Sequence, residues 1–128
     1  MSIYWLIGLG SAVGGMLRYA LTAAFVRLMG PEFPWGTIFI NVTGSILIGA
    51  LAAASGPTGR FPLNDDWRQF LMAGFCGGYT TFSAFSLQTL VLAEQGAWGS
   101  AAANVAGSVV LCLLGVWLGY QAGLALNR

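Results

Sequence analysis

The chain has 128 residues, of which 57% are hydrophobic and only 7% are charged, with five basic and four acidic side chains and no histidine. Soluble domains carry roughly a quarter charged residues, so this composition excludes a soluble globular domain, a disordered chain and a basic nucleic-acid binder. Without histidine, and with carboxylates only in loops or at the ends of apolar runs, a transition-metal site and a Ser-His-Asp or Cys-His enzyme are also excluded.

Four apolar runs fill almost the whole chain. They predict an all-α membrane protein with a single four-helix transmembrane domain over residues 1–128 and spans at about 3–29, 35–54, 67–92 and 98–126. About 20 residues suffice to cross the hydrocarbon core, so no extramembrane domain fits. The first run has no basic region before it and exceeds the length of a signal peptide, so we expect it to be retained. A tryptophan opens each run, as in an interfacial aromatic belt: Trp5, Trp35, Trp67 and Trp98.

The first span contains the one charge that lies well inside an apolar run. Arg18 follows the start of the helix by about 15 residues, or about 22 Å. Its side chain could snorkel to the headgroups, or it could attract an anion at the mouth of a pore. Small residues at four-residue spacing in the first and last spans predict close helix packing, either within one subunit or at a subunit interface. They are Gly10 and Gly14, and Gly115, Gly119 and Gly123.

Polar residues follow one face of the second span and one face of the fourth. The stripe in the second span is Thr37, Asn41 and Ser45, and that in the fourth is Asn104, Ser108 and Cys112. Residues four apart share a helix face. Such stripes can join helices by hydrogen bonds, or they can line a wet, non-ionic pathway. An Asn carboxamide favours the second interpretation more than a lone hydroxyl does, because it has two donors and two acceptors to satisfy.

The third span contains an unusual segment, GFCGGYTTFSAFS at 74–86. Gly-Gly followed by Thr-Thr is poor helix material, so we predict that the third helix breaks at mid-membrane. Freed carbonyls there must be buried in protein or turned onto an ion, and they suit a cation such as sodium. After the break, Phe82 and Phe85 share a face and could offer their positive ring edges to a small anion, or they could simply fill the bundle or face lipid. Ser83 and Ser86 form a neighbouring face.

The distribution of arginines leaves the orientation open. Arg60, Arg68 and Arg128 lie on one side of the predicted domain and Arg27 alone on the other. Because so small a bias sets orientation weakly, the chain could insert in both directions and form an antiparallel dimer, or it could adopt a single orientation.

Three segments together resemble the Fluc (CrcB) fluoride channels over nearly the whole chain. The segment 74–86 is similar to the family signature GFCGG-x-TTFSTFS, GGMLRY at 14–19 to its first-span motif, and WGTIFINVTGS at 35–45 to its second-span motif. The resemblance implies a fluoride-selective channel in the plasma (inner) membrane that exports fluoride passively and relieves its toxicity. It also implies an antiparallel, dual-topology homodimer with two fluoride pores and a central structural sodium ion (Na+).

The resemblance also assigns residues to roles. Asn41 matches the pore amide, and Phe82 and Phe85 match the paired pore phenylalanines. Hydroxyls near the pore are matched by Thr37, Ser83 and, in the fourth span, Ser108. Asn104, which shares the stripe of Ser108, is also expected to line the fluoride pore. Backbone carbonyls of Gly77 and Thr80 match the sodium positions, and Arg18 matches the first-span arginine.

The sequence departs from the family pattern at three positions. Ala84 replaces the usual Thr and removes a hydroxyl beside the pore phenylalanines, Gln88 replaces the usual Glu, and Asn104 stands where an aromatic residue can occur.

Two other functions fit a small four-helix protein. A multidrug exporter of this size needs a carboxylate inside the membrane, whereas Glu94 lies at a span end, and a structural subunit would need neither Asn41 nor the phenylalanines.

Overall fold

The computed structural model describes residues 2–128 and is all-helical, with no strand in that range. Its elements are α1 (Ile3–Met29), α2 (Trp35–Ala54), α3 (Asp65–Gln69), a π-helical segment (Phe70–Cys76), α4 (Gly77–Tyr79), α5 (Phe82–Glu94) and α6 (Trp98–Leu126). The bounds of α1, α2 and α6 coincide with those predicted for the first, second and fourth spans. None of these three apolar runs contains proline, and they end at Gly30, Ser55 and Asn127.

Three helices among the described residues are long and apolar enough to cross a membrane: α1, α2 and α6. The third predicted span is divided into pieces. Asp65–Tyr79 is continuous but changes from α-helix to π-helix and back, and α5 follows after two extended residues with a length of 13 residues. We call Asp65–Glu94 the broken helix. Neither piece of the broken helix alone has the roughly 20 residues that cross the hydrocarbon core of a membrane.

The glycines of α6 pack against α2 of the same subunit. A Cβ atom on Gly119 would overlap the backbone of Ile46, and one on Gly123 would lie 2.7 Å from the Ala50 carbonyl oxygen. In return, a Cβ atom on Gly49 of α2 would lie 2.9 Å from the Tyr120 nitrogen. Of the two alternatives that the spacing left open, the structure supports packing within one subunit for this stripe.

The glycines of α1 pack against the broken helix in the same way. A Cβ atom on Gly10 would lie 2.9 Å from the Phe75 nitrogen, and one on Gly14 would lie 2.8 Å from the Tyr79 nitrogen. Backbones that approach this closely leave no room for side chains. Helix α1 therefore forms a flat support for the first half of the broken helix.

The loop between α2 and α3 is held by side chains at one end of the bundle. Ser55 is buried and accepts a hydrogen bond of 3.1 Å from Arg68 Nε. Asn127 donates from Nδ2 to the Ala53 carbonyl (3.0 Å) and accepts at Oδ1 from the Arg60 backbone N–H (2.7 Å). The chain end and this loop are thus joined by a two-bond carboxamide clamp.

Candidate functional site

The helix break is formed by Thr80 and Thr81. Their backbones are extended, with φ −85° and ψ 159° at Thr80 and φ −152° and ψ 117° at Thr81. Threonine favours extended backbone because it is branched at Cβ. The Thr81 hydroxyl accepts a 3.1 Å hydrogen bond from the Ala84 backbone N–H. Thr81 therefore caps the N-terminus of α5. The predicted break is present. It lies at Thr80 and Thr81, whereas Gly77 and Gly78 remain helical.

Asn41 of α2 holds the break by two hydrogen bonds. Its Oδ1 accepts from the Thr81 backbone N–H at 2.7 Å, and its Nδ2 donates to the Thr81 carbonyl at 3.0 Å. In an unbroken helix the Thr81 N–H would bond to the Gly77 carbonyl, so the carboxamide replaces a lost helical bond. A carboxamide has two N–H donors, and the second is not used in this clamp.

A pocket of about 320 Å³ opens beside the clamp, between α2, the broken helix and α6. Its polar lining residues are Asn41, Ser45, Thr80, Thr81 and Ser108. Phe82 and Phe85 also line it, with ring centroids 5.3 Å apart and ring planes tilted by 54°. The pocket thus combines neutral donors with two aromatic rings and has no charged lining residue.

The two phenylalanines are exposed to different degrees. Phe85 is buried, whereas 77% of the Phe82 surface is accessible in the single chain. A large apolar ring that exposed must contact lipid or another protein surface in a membrane. The adjacent positions that the three-residue spacing predicted are confirmed by the ring distance.

The stripe on α6 divides into two roles. Asn104 is fully buried, and its Nδ2 donates a 2.9 Å hydrogen bond to the Thr89 hydroxyl of α5. Ser108 donates to Asn104 Oδ1 at 3.3 Å and lines the pocket. Asn104 itself does not line the pocket. Asn104 joins α6 to α5, and its Oδ1 accepts the hydrogen bond of the Ser108 hydroxyl.

Two further predicted hydroxyls lie outside this pocket. Thr37 is buried and lines a second pocket of about 670 Å³, formed by the end of α1, the turn after it, α5 and the start of α6. Gln88 lines the same pocket, and its buried Oε1 has no hydrogen-bond partner. Ser83 is exposed, and its Oγ lies 3.3 Å from the Thr81 hydroxyl.

Arg18 lies on α1, apart from both pockets. Its side chain is half-buried, and its Nε is buried without a hydrogen-bond partner. One turn later, the Thr22 hydroxyl bonds to the Arg18 carbonyl at 2.9 Å and belongs to a residue that lines the second pocket. The guanidinium extends the other way along α1, since a Cβ atom on Gly15 would lie 3.9 Å from Arg18 Nη2.

Gly77 and Thr80 line the first pocket, and Gly77 is exposed. Because the Thr81 N–H bonds to Asn41, the Gly77 carbonyl lacks its helical partner. The Thr80 N–H and hydroxyl both bond to the Cys76 carbonyl, at 3.0 and 2.9 Å. The Gly77 carbonyl therefore lacks a helical hydrogen bond and lies on an exposed stretch of backbone beside the break.

Several residues of the site were not predicted. Thr81 is both the cap of α5 and the backbone partner of Asn41, although Thr-Thr marked only a weak point in the helix. Tyr79 bonds through its hydroxyl to Thr43 at 2.8 Å, and Thr89 anchors Asn104. None of these hydroxyls belongs to the two polar stripes, and the sequence carries no signal for a bond between two helices of unknown rotation.

The family model described as CrcB-like protein, Camphor Resistance (CrcB), matches residues 5–120 of the chain. The chain belongs to the CrcB family. The family resemblance predicted from the three sequence segments is confirmed.

Three relatives named fluoride-specific ion channel FluC match almost end to end. The one from Rhodospirillum rubrum is 54% identical over 98% of this chain and 97% of its own length. The relative from Paramagnetospirillum magneticum is 52% identical over the whole of both chains. The relative from Opitutus terrae is 50% identical over 99% of this chain and 96% of its own length. These are names of ion channels and not of enzymes, as the composition led us to expect. Family membership together with the long apolar helices makes this chain an integral, multi-pass membrane protein.

Proposed function

We propose that this protein is a fluoride-selective ion channel that exports cytoplasmic fluoride passively. The observation that carries the proposal is the match, at about half identity over the full length, to relatives named fluoride-specific ion channels. The pocket beside the helix break supports it, because its neutral donors and aromatic rings suit a small anion. No carboxylate lines that pocket, so neither proton coupling nor repulsion of an anion is built into it; Glu32 lines the second pocket, at the turn after α1.

The chemistry follows from the hydration of fluoride. To cross, the anion must exchange water for donors that hold it firmly enough to enter and loosely enough to leave. The second N–H of Asn41 and the positive edges of the Phe82 and Phe85 rings would supply such donors. The Ser108 hydroxyl would join them by turning its one proton from Asn104 Oδ1 to the anion. Chloride is larger and fits a narrow file of these groups less well.

The pathway would follow the polar stripe of α2. Ser45 and Asn41 line the first pocket, and Thr37, one turn further, lines the second. Asn104 supports Ser108 from behind, and Ser83 lies next to the break. Arg18 lines neither pocket, and its positive charge would act from α1 by attracting anions toward the pathway.

The broken helix would cross the membrane as the third span, which completes a single four-helix domain. Its two halves together run from Asp65 to Glu94, which is long enough if they are stacked across the two extended residues. The exposed ring of Phe82 and the exposed Gly77 suggest that a second copy covers this face. An antiparallel, dual-topology homodimer would place two such faces together, with one pore for each subunit, and the weak arginine bias is compatible with insertion both ways.

The backbone at the break fits a structural sodium ion. Gly77 has no side chain to block its carbonyl, and the Asn41 clamp removes the N–H that would otherwise bond to it. The Gly77 and Thr80 carbonyls of two copies would hold the ion, and bound sodium would neutralise carbonyl dipoles that water does not reach. Asn41, Thr81 and α1 keep this backbone edge in place.

The direction of transport follows from acid chemistry and the membrane potential. Fluoride enters a cell as neutral hydrofluoric acid and dissociates in the more alkaline cytoplasm. A potential that is negative inside then drives the anion outward through a passive pore in the inner membrane. Such a pore needs no coupling ion and lowers the toxicity of fluoride.

Efflux from liposomes tests the proposal. Purified protein is reconstituted with potassium fluoride or potassium chloride inside, valinomycin is added to carry the countercharge, and ion-selective electrodes follow release. We expect fast fluoride release and almost no chloride release. Equal rates for the two ions, or no release above that of empty liposomes, would contradict the proposal. Phe82→Ile should slow fluoride release, whereas the matched control Phe61→Ile, in an exposed loop position, should not.

A further inference from the structure

The residue before the helix break makes a contact that the proposed pore chemistry does not use. The Tyr79 hydroxyl lies 2.8 Å from Thr43 Oγ1, and only 6% of the Tyr79 surface is accessible. Thr43 Oγ1 also lies 2.8 Å from the Phe39 carbonyl, which can only accept. With the Thr43 proton on that carbonyl, the Tyr79 hydroxyl donates to Thr43 Oγ1, and both hydroxyls are satisfied.

The Tyr79 ring is packed on two sides, and its backbone on a third. The ring stacks on Phe75, with centroids 5.8 Å apart and planes inclined by 8°, and a Cβ atom on Gly44 would lie 3.1 Å from it. A Cβ atom on Gly14 would lie 2.8 Å from the Tyr79 backbone nitrogen, so α1 holds the backbone. In this buried position the Tyr79 hydroxyl reaches α2.

Gly44 shows where the chain crosses α2. A Cβ atom there would collide with Thr80 Cγ2 as well as approach Tyr79, so the break passes directly over this glycine. At about 100° per residue, Gly44 lies about 60° from Asn41 and about 100° from Thr43, and between them around the helix. The break is thus held on both flanks of its crossing point, by Asn41 through Thr81 and by Thr43 through Tyr79.

We propose that the Tyr79 hydroxyl is a positioning group for the pore, which fixes the rotation of the break about α2. Asn41 bonds to one flank only, and the close packing on Gly14 and Gly44 supplies no hydrogen bond on the other flank. The second bond fixes the Thr80 and Thr81 backbone, and through it the direction of Phe82, the next residue. The proposal rests on the proposed channel function for its effect on transport, but the mechanical part concerns this chain's own residues.

The test uses variants that remove single oxygen atoms. Tyr79→Phe and Thr43→Val each delete one hydroxyl, Thr43→Ser keeps the hydroxyl, and Tyr4→Phe is a control at a highly exposed tyrosine. Fluoride efflux is measured with fewer than one channel per liposome. The fraction of liposomes that empty then counts folded channels, and the emptying rate reports each channel.

We expect Tyr79→Phe and Thr43→Val to slow the emptying rate about five-fold, the effect of one neutral hydrogen bond, without changing the fraction that empties. The double variant should be no slower than either single one, and Thr43→Ser and Tyr4→Phe should match the wild type. A wild-type rate in Tyr79→Phe, a change in the emptied fraction alone, or additive effects would overturn the proposal.

Hydrogen exchange separates this result from a failure of the proposed function. In detergent, Tyr79→Phe should increase exchange about five-fold at the backbone amides of Thr81 and Ala84, which the break orders, and leave the amides of α6 unchanged. If the wild type releases no fluoride, the channel proposal fails and this measurement still decides the role of Tyr79. Unchanged exchange at both amides would overturn it.

Discussion

Replacing Asn41 by Asp changes one donor into an acceptor at the centre of the proposed pathway. The Asp carboxylate can still accept from the Thr81 N–H, but it loses the 3.0 Å bond to the Thr81 carbonyl. It also places a negative charge where fluoride must pass. At about 4 Å and an effective dielectric constant of about 20, two unit charges repel by about 4 kcal/mol.

A barrier raised by that amount slows passage about a thousandfold. We therefore expect Asn41→Asp to abolish measurable fluoride efflux at pH 7 while the protein remains folded. Loss of the hydrogen bond itself should destabilise the protein by only about 1 kcal/mol. The two consequences can be separated, because melting in detergent reports the second and the emptying rate per liposome reports the first.

Asn127 offers a matched control. Its carboxamide makes the same pair of bonds to a backbone carbonyl and a backbone N–H, at 3.0 and 2.7 Å, but at the end of the bundle and away from both pockets. Asn127→Asp should therefore leave the rate of each channel unchanged. Fluoride efflux at the wild-type rate in Asn41→Asp, or an equal loss in both variants, would refute the assignment of Asn41 to the pathway.

Three further outcomes follow from the packing and the site. Gly119→Ala should lower the melting temperature strongly, because its Cβ would overlap the Ile46 backbone, whereas Gly107→Ala, with open space around it, should not; equal melting would contradict the close packing of α2 and α6. Phe82→Ile should reduce fluoride efflux without changing the elution volume in size-exclusion chromatography, and unchanged efflux would remove this ring from the pore. Asn104→Leu should lower the melting temperature by more than it lowers the rate of each channel, because Asn104 is fully buried and bonds to Thr89 outside the first pocket; the reverse order would place it in the pathway.

The long helices could be predicted from the sequence because hydropathy and helix-ending residues act locally. The bounds of α1, α2 and α6 follow from apolar runs that end at Gly30, Ser55 and Asn127. The break was also predictable, since Gly-Gly-Tyr-Thr-Thr weakens a helix by its own composition. Its position was less so, because Gly77 and Gly78 remain helical where α1 supports them, and the extended residues lie where Asn41 supplies replacement hydrogen bonds.

Contacts between helices were beyond what one sequence can give. The glycine stripe of α6 predicted a close approach but not its partner, which is α2. The polar stripes placed Asn41 and Asn104 on faces of helices, yet one clamps a backbone and the other bonds to Thr89, and this depends on how each helix is rotated. The π-helical segment Phe70–Cys76 has no feature in the sequence that predicts it. It rotates every later residue of the broken helix about the helix axis.

The central claim is that neutral dipoles, and not fixed charges, conduct fluoride through this protein. The reversal potential of the current in a planar bilayer tests this most directly, with a tenfold fluoride gradient and equal chloride on both sides. The account predicts a current that reverses near the fluoride equilibrium potential, about 59 mV from zero. A reversal potential close to zero, or the absence of current from protein that is folded and inserted, would contradict it.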